Sequence, residues 1–374
     1  MLSSQAIELM LDFGRRTGLT GEREPERYLW TDAFAVCNYL GLARATGEAR
    51  FMELATRLVD QVHHVLGRHR ADDPRSGWIS GLDEDAGEAQ PTRGGLRIGK
   101  PLPERSASEA FDERLEWERD GQYFHYLTKW MHALERLARA SGDRLALRWA
   151  RELARAAHDG FVHEAPGHPR PVVVWKMSID LARPQVPSVG QHDPLDGYVT
   201  VEQLRASAAA LGVADEPPRL KRERDSFQAM LAGGDWTTPD PLGIGGLLID
   251  AARLARLTAA GAPAAAGLLE TLLRSAARGL TLYAGSGQLD QPAERRLAFR
   301  ELGLAIGLQG IEQLAAGDPP PAGLEALQAH RPLAERIAAF WADPGHRQQR
   351  SWTEHRHINA VMLATALAPA GFYG

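Results

Sequence analysis

A single cysteine, Cys37, stands in 374 residues. That excludes an internal disulfide and any zinc site built from cysteines, and it fits a reducing, cytoplasmic setting. No run approaches the roughly 18 to 20 apolar residues of a membrane span. The first residues, Met1 to Glu8, have no basic stretch and no long apolar core, so no secretory signal is expected. Neither sign of charge dominates: 43 Lys and Arg against 48 Asp and Glu leave a net charge of −5. A nucleic-acid partner needs a concentrated basic surface, so none is expected, and neither is a membrane partner. Lysine is scarce, with only Lys100, Lys129, Lys176 and Lys221, and the other 39 basic residues are arginine. Those arginines read better as solvated outer helix faces than as an anion site. Alternating runs of Val and Ile are also few. Pro171–Trp175 and Gly197–Val201 are the best candidates for short strands.

What is present is an ordinary globular composition, 44% hydrophobic and 24% charged, with helical patterning almost throughout. A unit recurs: a polar or Gly/Pro-rich lead, an apolar helix, a short turn, then an amphipathic helix. Copies start at Thr31-Asp32, at Asp120-Gly121, at Asp240-Pro241 and at Leu297. Their partner helices cover about 51–67, 144–161, 268–280 and 324–341. Two further leads are Asp193–Thr200 and Trp352–Asn359, which open helices over Val201–Leu211 and from Ala360. Turns at Thr46-Gly47, Ser141-Gly-Asp143, Gly261-Ala-Pro263 and Gly317-Asp-Pro-Pro-Pro321 put glycine just past a helix end, and Asp32, Asp120 and Asp240 sit where N-caps belong.

Six apolar helices thus begin near 32, 120, 197, 241, 297 and 357. A helix over Ser4–Arg16 has no partner before it, and the last helix has none after it. Pairing those two closes the chain as one all-α domain, residues 1–374, a ring of six helical hairpins with only minor strands. Closure places the apolar helices inside and gathers their N-terminal ends at one mouth, where helix dipoles favour anionic groups. Two insertions, 68–119 and 163–192, precede inner helices, so both are expected to cover that mouth as lids. The first holds Trp78 and the second His163, His168, Trp175 and Gln191.

This pattern resembles the six-hairpin, (α/α)6-barrel superfamily of carbohydrate-active enzymes, which includes unsaturated glucuronyl hydrolases, other six-hairpin glycosidases and the N-acylglucosamine 2-epimerase group. Trp30-Thr-Asp-Ala-Phe34 with Thr46-Gly-Glu48 is similar to the first-hairpin pattern of the glycosidase branch. Tyr123-Phe-His-Tyr126 is similar to the aromatic and histidine helix start of the epimerase branch, as is His355 or His357 before the last inner helix. The resemblance implies an (α/α)6 toroid and a small-molecule or oligosaccharide substrate. A middle histidine–glutamate helix of the epimerase type and an aspartate pair of the glucuronyl-hydrolase type are both without a counterpart, so the branch stays open.

Glycoside hydrolysis needs two carboxyl groups across a sugar, one neutral and one charged. Asp32, Asp120, Asp193, Asp196, Asp240 and Glu301 lie at or near inner-helix starts, though each also reads as a cap. Asp193 and Asp196 flank Pro-Leu and cannot both cap one helix, and His192 beside them adds a proton-transfer group. Catalytic candidates are therefore Asp120, His125, His192, Asp193, Asp240 and His357. Substrate-binding candidates are Trp30, Asp32, Trp78, Asp196, Trp236, Arg300 and His355, the tryptophans offering an apolar face with a polar edge. His355 and His357 are two apart and point apart on a helix, so no metal is expected. His63, His64 and His69 read as surface groups, and His132 as packed.

Other chemistry is excluded by pattern. Arg93–Lys100 lacks a P-loop, Gly243-Ile-Gly-Gly has no dinucleotide-binding context and reads as close helix packing, no nucleophile elbow occurs, and Cys37 reads as packing. No cofactor is expected. The leading reading is a carbohydrate-active enzyme with glycoside hydrolase-type acid/base chemistry. A sugar 2-epimerase using histidine is the alternative. An open helical-repeat interaction protein is disfavoured by hairpin starts spaced irregularly. An isoprenoid-type cyclase would need an acid cluster such as Asp83-Glu-Asp85, which falls in a Gly-rich loop.

Overall fold

Twelve helices of ten residues or more are found among the described residues, 4–106, 108–164, 167, 170–261, 267–315 and 320–374 of this computed structural model. They group into two units, one formed by Gly14–Leu40 and Glu48–Ala232, the other by Met1–Phe13, Gly41–Gly47 and Gly233–Gly374. Helices α1 (Ser4–Arg16) and α2 (Leu29–Thr46) contribute residues to both.

The first unit also holds α3 (Ala49–Leu66), α4 (Phe124–Ser141), α5 (Arg144–Phe161), α6 (Asp193–Ala210) and α7 (Lys221–Met230). Burial separates them into two kinds. In α4 nearly every residue from Leu127 to Ala138 is buried, and α6 is buried on all sides from Leu195 to Leu204. In α5 only a stripe is buried: Ala146, Leu147, Ala150, Leu153, Ala154, Ala157 and Phe161 recur at helical spacing. The first kind has neighbours all round, and the second is amphipathic. The α4–α5 turn forms as its sequence dictates. Gly142 takes φ 73 and returns its N–H to Ala138, while Asp143 caps α5 through the Leu145 N–H at 2.8 Å.

Both insertions belong to this unit and pack on each other. Segment 68–119 carries short helices at Glu84–Ala89 and Glu113–Glu118; strands β1 (Gln122–Tyr123), β2 (Val162–His163), β3 (Val172–Val173) and β4 (Lys176–Met177) pair antiparallel as β1–β4 and β2–β3. Lys176 reaches across to the carbonyls of Glu116 and Arg119, and Arg75 to Asp180 at 3.1 Å. Of the two expected strands, 171–175 contains β3, but 197–201 lies inside α6. A short apolar run has no period of its own, and all-round burial in a helix gives the same pattern as a buried strand. His168 lies outside the described residues.

The second unit holds α8 (Pro241–Ala259), α9 (Leu268–Ala284), α10 (Ala298–Ala315), α11 (Pro332–Ala342) and α12 (Arg356–Leu367). Asp240 caps α8 and Pro241 opens it. The helices α8 and α10 touch through backbone: a Cβ on Gly245 would sit 2.2 Å from the Gly303 carbonyl oxygen. Here α1 meets the C-terminal helices, with the Gln5 amide donating to the Ala342 carbonyl at 3.0 Å and Phe13 edge-on to His357 at 6.2 Å. The return expected over 324–341 is two helices, Glu325–Gln328 and then α11, because Pro332 opens a new first turn. The turn residues 262–263 and 317–319 lie outside the described residues. Among the described residues no helix is long and apolar enough to cross a membrane.

Candidate active site

The first turns of α4 and α6 bring together the chemistry of the first unit. The helix α6 begins eight residues earlier than its expected start at Val201, with His192 as N-cap residue and Pro194 in its first turn. Asp193 and Asp196 are therefore helical, and neither caps. They share one turn and meet unlike surroundings. Asp196 accepts hydrogen bonds from the Thr128 hydroxyl and from the Lys129 ammonium at 2.7 Å, both on α4, while Thr200 bonds its other oxygen at 3.3 Å. An ammonium and two hydroxyls are what a charged carboxylate needs when buried. Asp193 is 5% exposed, and its Oδ2 has no hydrogen-bond partner among the described residues. Gly190 lies so close that a Cβ there would meet that oxygen at 1.9 Å. Burial, with the Asp196 charge second and Lys129 opposing, pushes the Asp193 carboxyl from 3.8 up to about 8.

His125 sits one turn before Lys129 in a cage of aromatic rings. Tyr123 stacks on it at 5.4 Å, and Tyr126, Trp30 and Trp175 surround it with centroids at 5.0, 6.1 and 5.9 Å. The Trp175 indole N–H donates to His125 Nδ1 at 2.9 Å. Burial, then the Lys129 charge, lowers the imidazole from 6.5 to about 3, so it stays neutral. The hydroxyls of Tyr28 and Tyr126 join at 2.7 Å behind Trp30. Trp175 is 37% exposed and meets Trp117, from the other insertion, edge-on at 5.3 Å. The surroundings of His125 are thus aromatic and exposed at Trp175, and Lys129, one turn further along α4, ties them to Asp196 on α6.

The remaining candidates have other partners. Asp120, expected to be catalytic, is fully buried and committed: Arg97 bonds it at 2.6 Å, Arg70 stands at 3.5 Å, and the amides of Gly99 and Gly121 donate at 3.0 Å each. It ties the base of the 68–119 insertion to β1 and has no lone pair to spare. Asp32, expected to bind substrate, reaches back to the Tyr28 amide at 3.0 Å beside Arg27, and burial pushes it up to about 6. Trp78, expected to stack on a sugar, is 2% exposed, with Arg68 over its ring and Gly87 against it. Its face is already covered by protein.

Asp240, Trp236, Arg300, His355 and His357 fall in the second unit. Asp240 caps α8 through the Gly243 amide and pairs with Arg300 at 2.8 Å. Trp236 is 3% exposed, and His355 lies edge-on to Phe299 at 5.6 Å. Glu301, noted for its position, is locked by Arg296 and by the Trp341 indole. His63, expected at the surface, is buried and accepts the Trp130 indole N–H at 3.2 Å. A trio that could hold a metal, Asp60, His64 and Glu88, is explained by ion pairing, since burial is outweighed by the two acids and His64 is raised above its usual value.

Lys129, Thr128 and Tyr28 escaped the sequence reading, whereas Tyr126 stood in the aromatic and histidine motif at the start of α4. One signal was there: Lys129 is one of four lysines in an arginine-rich chain.

No family model matches the chain, and no curated protein sequence does. Solved structures do. A GH76 alpha-mannanase from Bacteroides thetaiotaomicron superposes with a TM-score of 0.56 at 9% identity, over 98% of this chain and 95% of that one. A sugar epimerase from a ruminal bacterium gives 0.51 at 11% identity, over 97% and 96%. A cellobiose 2-epimerase from Spirochaeta thermophila gives 0.51 at 12%, over 96% and 97%. These neighbours are (α/α)6 toroids. This chain has the six-hairpin (α/α)6 fold. Five of its hairpins are α2–α3, α4–α5, α6–α7, α8–α9 and α10–α11, and α12 with α1 makes the sixth. In six-hairpin terms the first turns of α4 and α6 open two successive leading helices, which is why Lys129 and Asp196 meet although far apart in sequence.

Proposed function

We propose that the chain is a carbohydrate-active enzyme of the glycoside hydrolase type. The observation that carries this reading is the pair on α6: Asp193, kept neutral by burial, one turn from Asp196, held beside the Lys129 ammonium. Two carboxyl groups whose surroundings push them to opposite protonation states make an acid and a charged partner. Asp193 donates a proton to the leaving oxygen. Asp196 carries the negative charge that steadies a positive sugar or directs water. Trp30, Tyr126 and Trp175 offer the sugar apolar faces, and His125 a hydrogen bond. The names of the structural neighbours, a mannanase and two sugar epimerases, agree with a sugar ligand.

Epimerisation is the second reading, favoured by the histidine in the aromatic cage. It requires a base to take a proton beside a carbonyl. An imidazole lowered to about 3 is too weak for that near neutral pH, and this weighs for hydrolysis.

The test is a panel of aryl mannosides, aryl glucosides and β-linked disaccharides, followed by NMR of the products. Hydrolysis with an alkaline limb near the Asp193 value of about 8 supports the reading. An intact disaccharide with an inverted C2 centre sinks it and installs the second.

A further inference from the structure

The Trp175 side chain has two features that the acid and its partner do not require. Its indole N–H ends on the ring nitrogen of a caged histidine, and its ring stands at the junction of the two insertions. An indole N–H can only donate, so the nitrogen that receives it must offer a lone pair. The proton of a neutral His125 is then on Nε2, which makes no hydrogen bond among the described residues.

We propose that Trp175 is a positioning residue: it fixes His125 as the Nε2–H tautomer, so that the ring presents a donor to a sugar hydroxyl. This rests on the reading of the site as a sugar site. The neighbours of the ring agree with a fixed, uncharged imidazole. From β1 comes Tyr123, stacked on the ring; from α4 come Tyr126, set edge-on to it, and Lys129 one turn on; from α6 comes Asp196, already engaged by that lysine; from α2 comes Trp30. No carboxylate bonds the ring, so nothing else holds a proton on Nδ1. A group that orients another through its far nitrogen is a familiar way of setting imidazole chemistry.

The consequence is that the lids and the histidine are one device. Trp175 lies on the 163–192 insertion, beside β4, whose Lys176 binds the carbonyls of Glu116 and Arg119 on the 68–119 insertion. Trp117, in that same short helix, meets the Trp175 ring. When both insertions are seated, the indole is in register with His125.

The experiment is a long-range nitrogen–proton NMR spectrum of the histidine-labelled full chain, wild type, Trp175→Phe and Asp193→Asn. Wild type is expected to show His125 as Nε2–H alone from about pH 5 to 8. Trp175→Phe keeps a ring in place and loses the donor, so a share of Nδ1–H appears and the imidazole titrates at higher pH. Its turnover falls about 10- to 100-fold, the usual cost of losing an orienting partner. An Nδ1–H signal in wild type overturns the proposal even where the variant does not fold. So does a Trp175→Phe chain with wild-type spectrum or wild-type turnover. Asp193→Asn separates the two readings. It should leave the His125 signal alone and stop turnover; if turnover persists, the acid assignment fails while the tautomer result stands.

Discussion

The indole N–H of Trp130 ends on Nε2 of His63, 3.2 Å away. His63 lies edge-on to Trp130 and to Trp149, at 5.7 and 4.9 Å, and is 2% exposed. It uses the same bond as Trp175 and His125, with the opposite nitrogen and without an open side. Burial, then the His64 charge, lowers its imidazole from 6.5 to about 3.

That shift sets a direction for acid stability. A histidine whose folded value is depressed binds fewer protons when folded than when unfolded. Stability is whole above 6.5 and drains away as pH falls toward about 3. The thermal midpoint should therefore drop steeply on acidification from about pH 7 to about pH 4. His63→Gln, which can still accept from Trp130, should flatten part of the drop. Equal slopes in the two proteins would show that His63 charges without cost.

Asp193 has the opposite sign. Its folded value is raised from 3.8 to about 8, so the fold holds a proton that the unfolded chain releases. The contribution is whole below 3.8 and lost as pH rises through about 8. Asp193→Asn removes the titration. Relative to wild type it should gain thermal stability as pH rises across that window, while turnover falls by about 100- to 10,000-fold. Asp143→Asn, at the cap of α5, is the control: asparagine caps as well as aspartate, so midpoint and turnover should both hold. A variant at 193 that loses stability instead marks the carboxylate as a structural anion.

Asp120 is the converse, a buried carboxylate with every oxygen engaged. Replacing it by Asn strands the Arg97 guanidinium, and breaking such a pair costs about 3–5 kcal/mol. Limited proteolysis should then cut within 68–119 well before it does in wild type. Unchanged protease resistance would mean that the insertion is held elsewhere.

Gly245 gives a prediction about packing. In an exposed helix, Gly→Ala gains about 1 kcal/mol from propensity. Here the added methyl would press on the Gly303 carbonyl, which is backbone and cannot turn aside. Overpacking of this kind costs about 1–3 kcal/mol. Gly245→Ala should therefore melt lower than wild type, whereas Gly246→Ala, which meets nothing within 4 Å, should not. The reverse order would sink the close-packing argument.

The hairpins were legible because their signals are local. Gly142 and Asp143 mark a helix end and a cap wherever they occur, and the stripe of α5 needs no knowledge of what it packs on. Starts were less legible: Asp32 read as a cap, and Trp30, Asp193 and Asp196 as part of the leads, yet all four are already in the first turn. Burial on all sides hides helical period, and it also sent 197–201 to the wrong class. Asp193 and Asp196 stood out because two acids outnumber the caps one helix can use. Trp78 and Asp120 show the limit. An aromatic or a carboxylate in a loop looks the same whether the loop opens to a ligand or folds onto itself, and only Arg68, Gly87 and Arg97 decide which. Tyr28 and Lys129 matter through partners about 100 and 67 positions away, at Tyr126 and Asp196, which no local pattern encodes.

The scarcity of lysine turns into a tool once the structure is known. Lys176 is buried where its insertion meets the other, Lys100 is tied to the Trp117 carbonyl, and Lys129 is spoken for by Asp196. Lys221 alone of the four has a side chain mostly in solvent, at 74%. Among these four, an amine-directed label should thus mark the folded protein at one address on α7. Acylation of Lys100 or Lys176 would then act as a covalent clock, recording how often the two insertions part from each other.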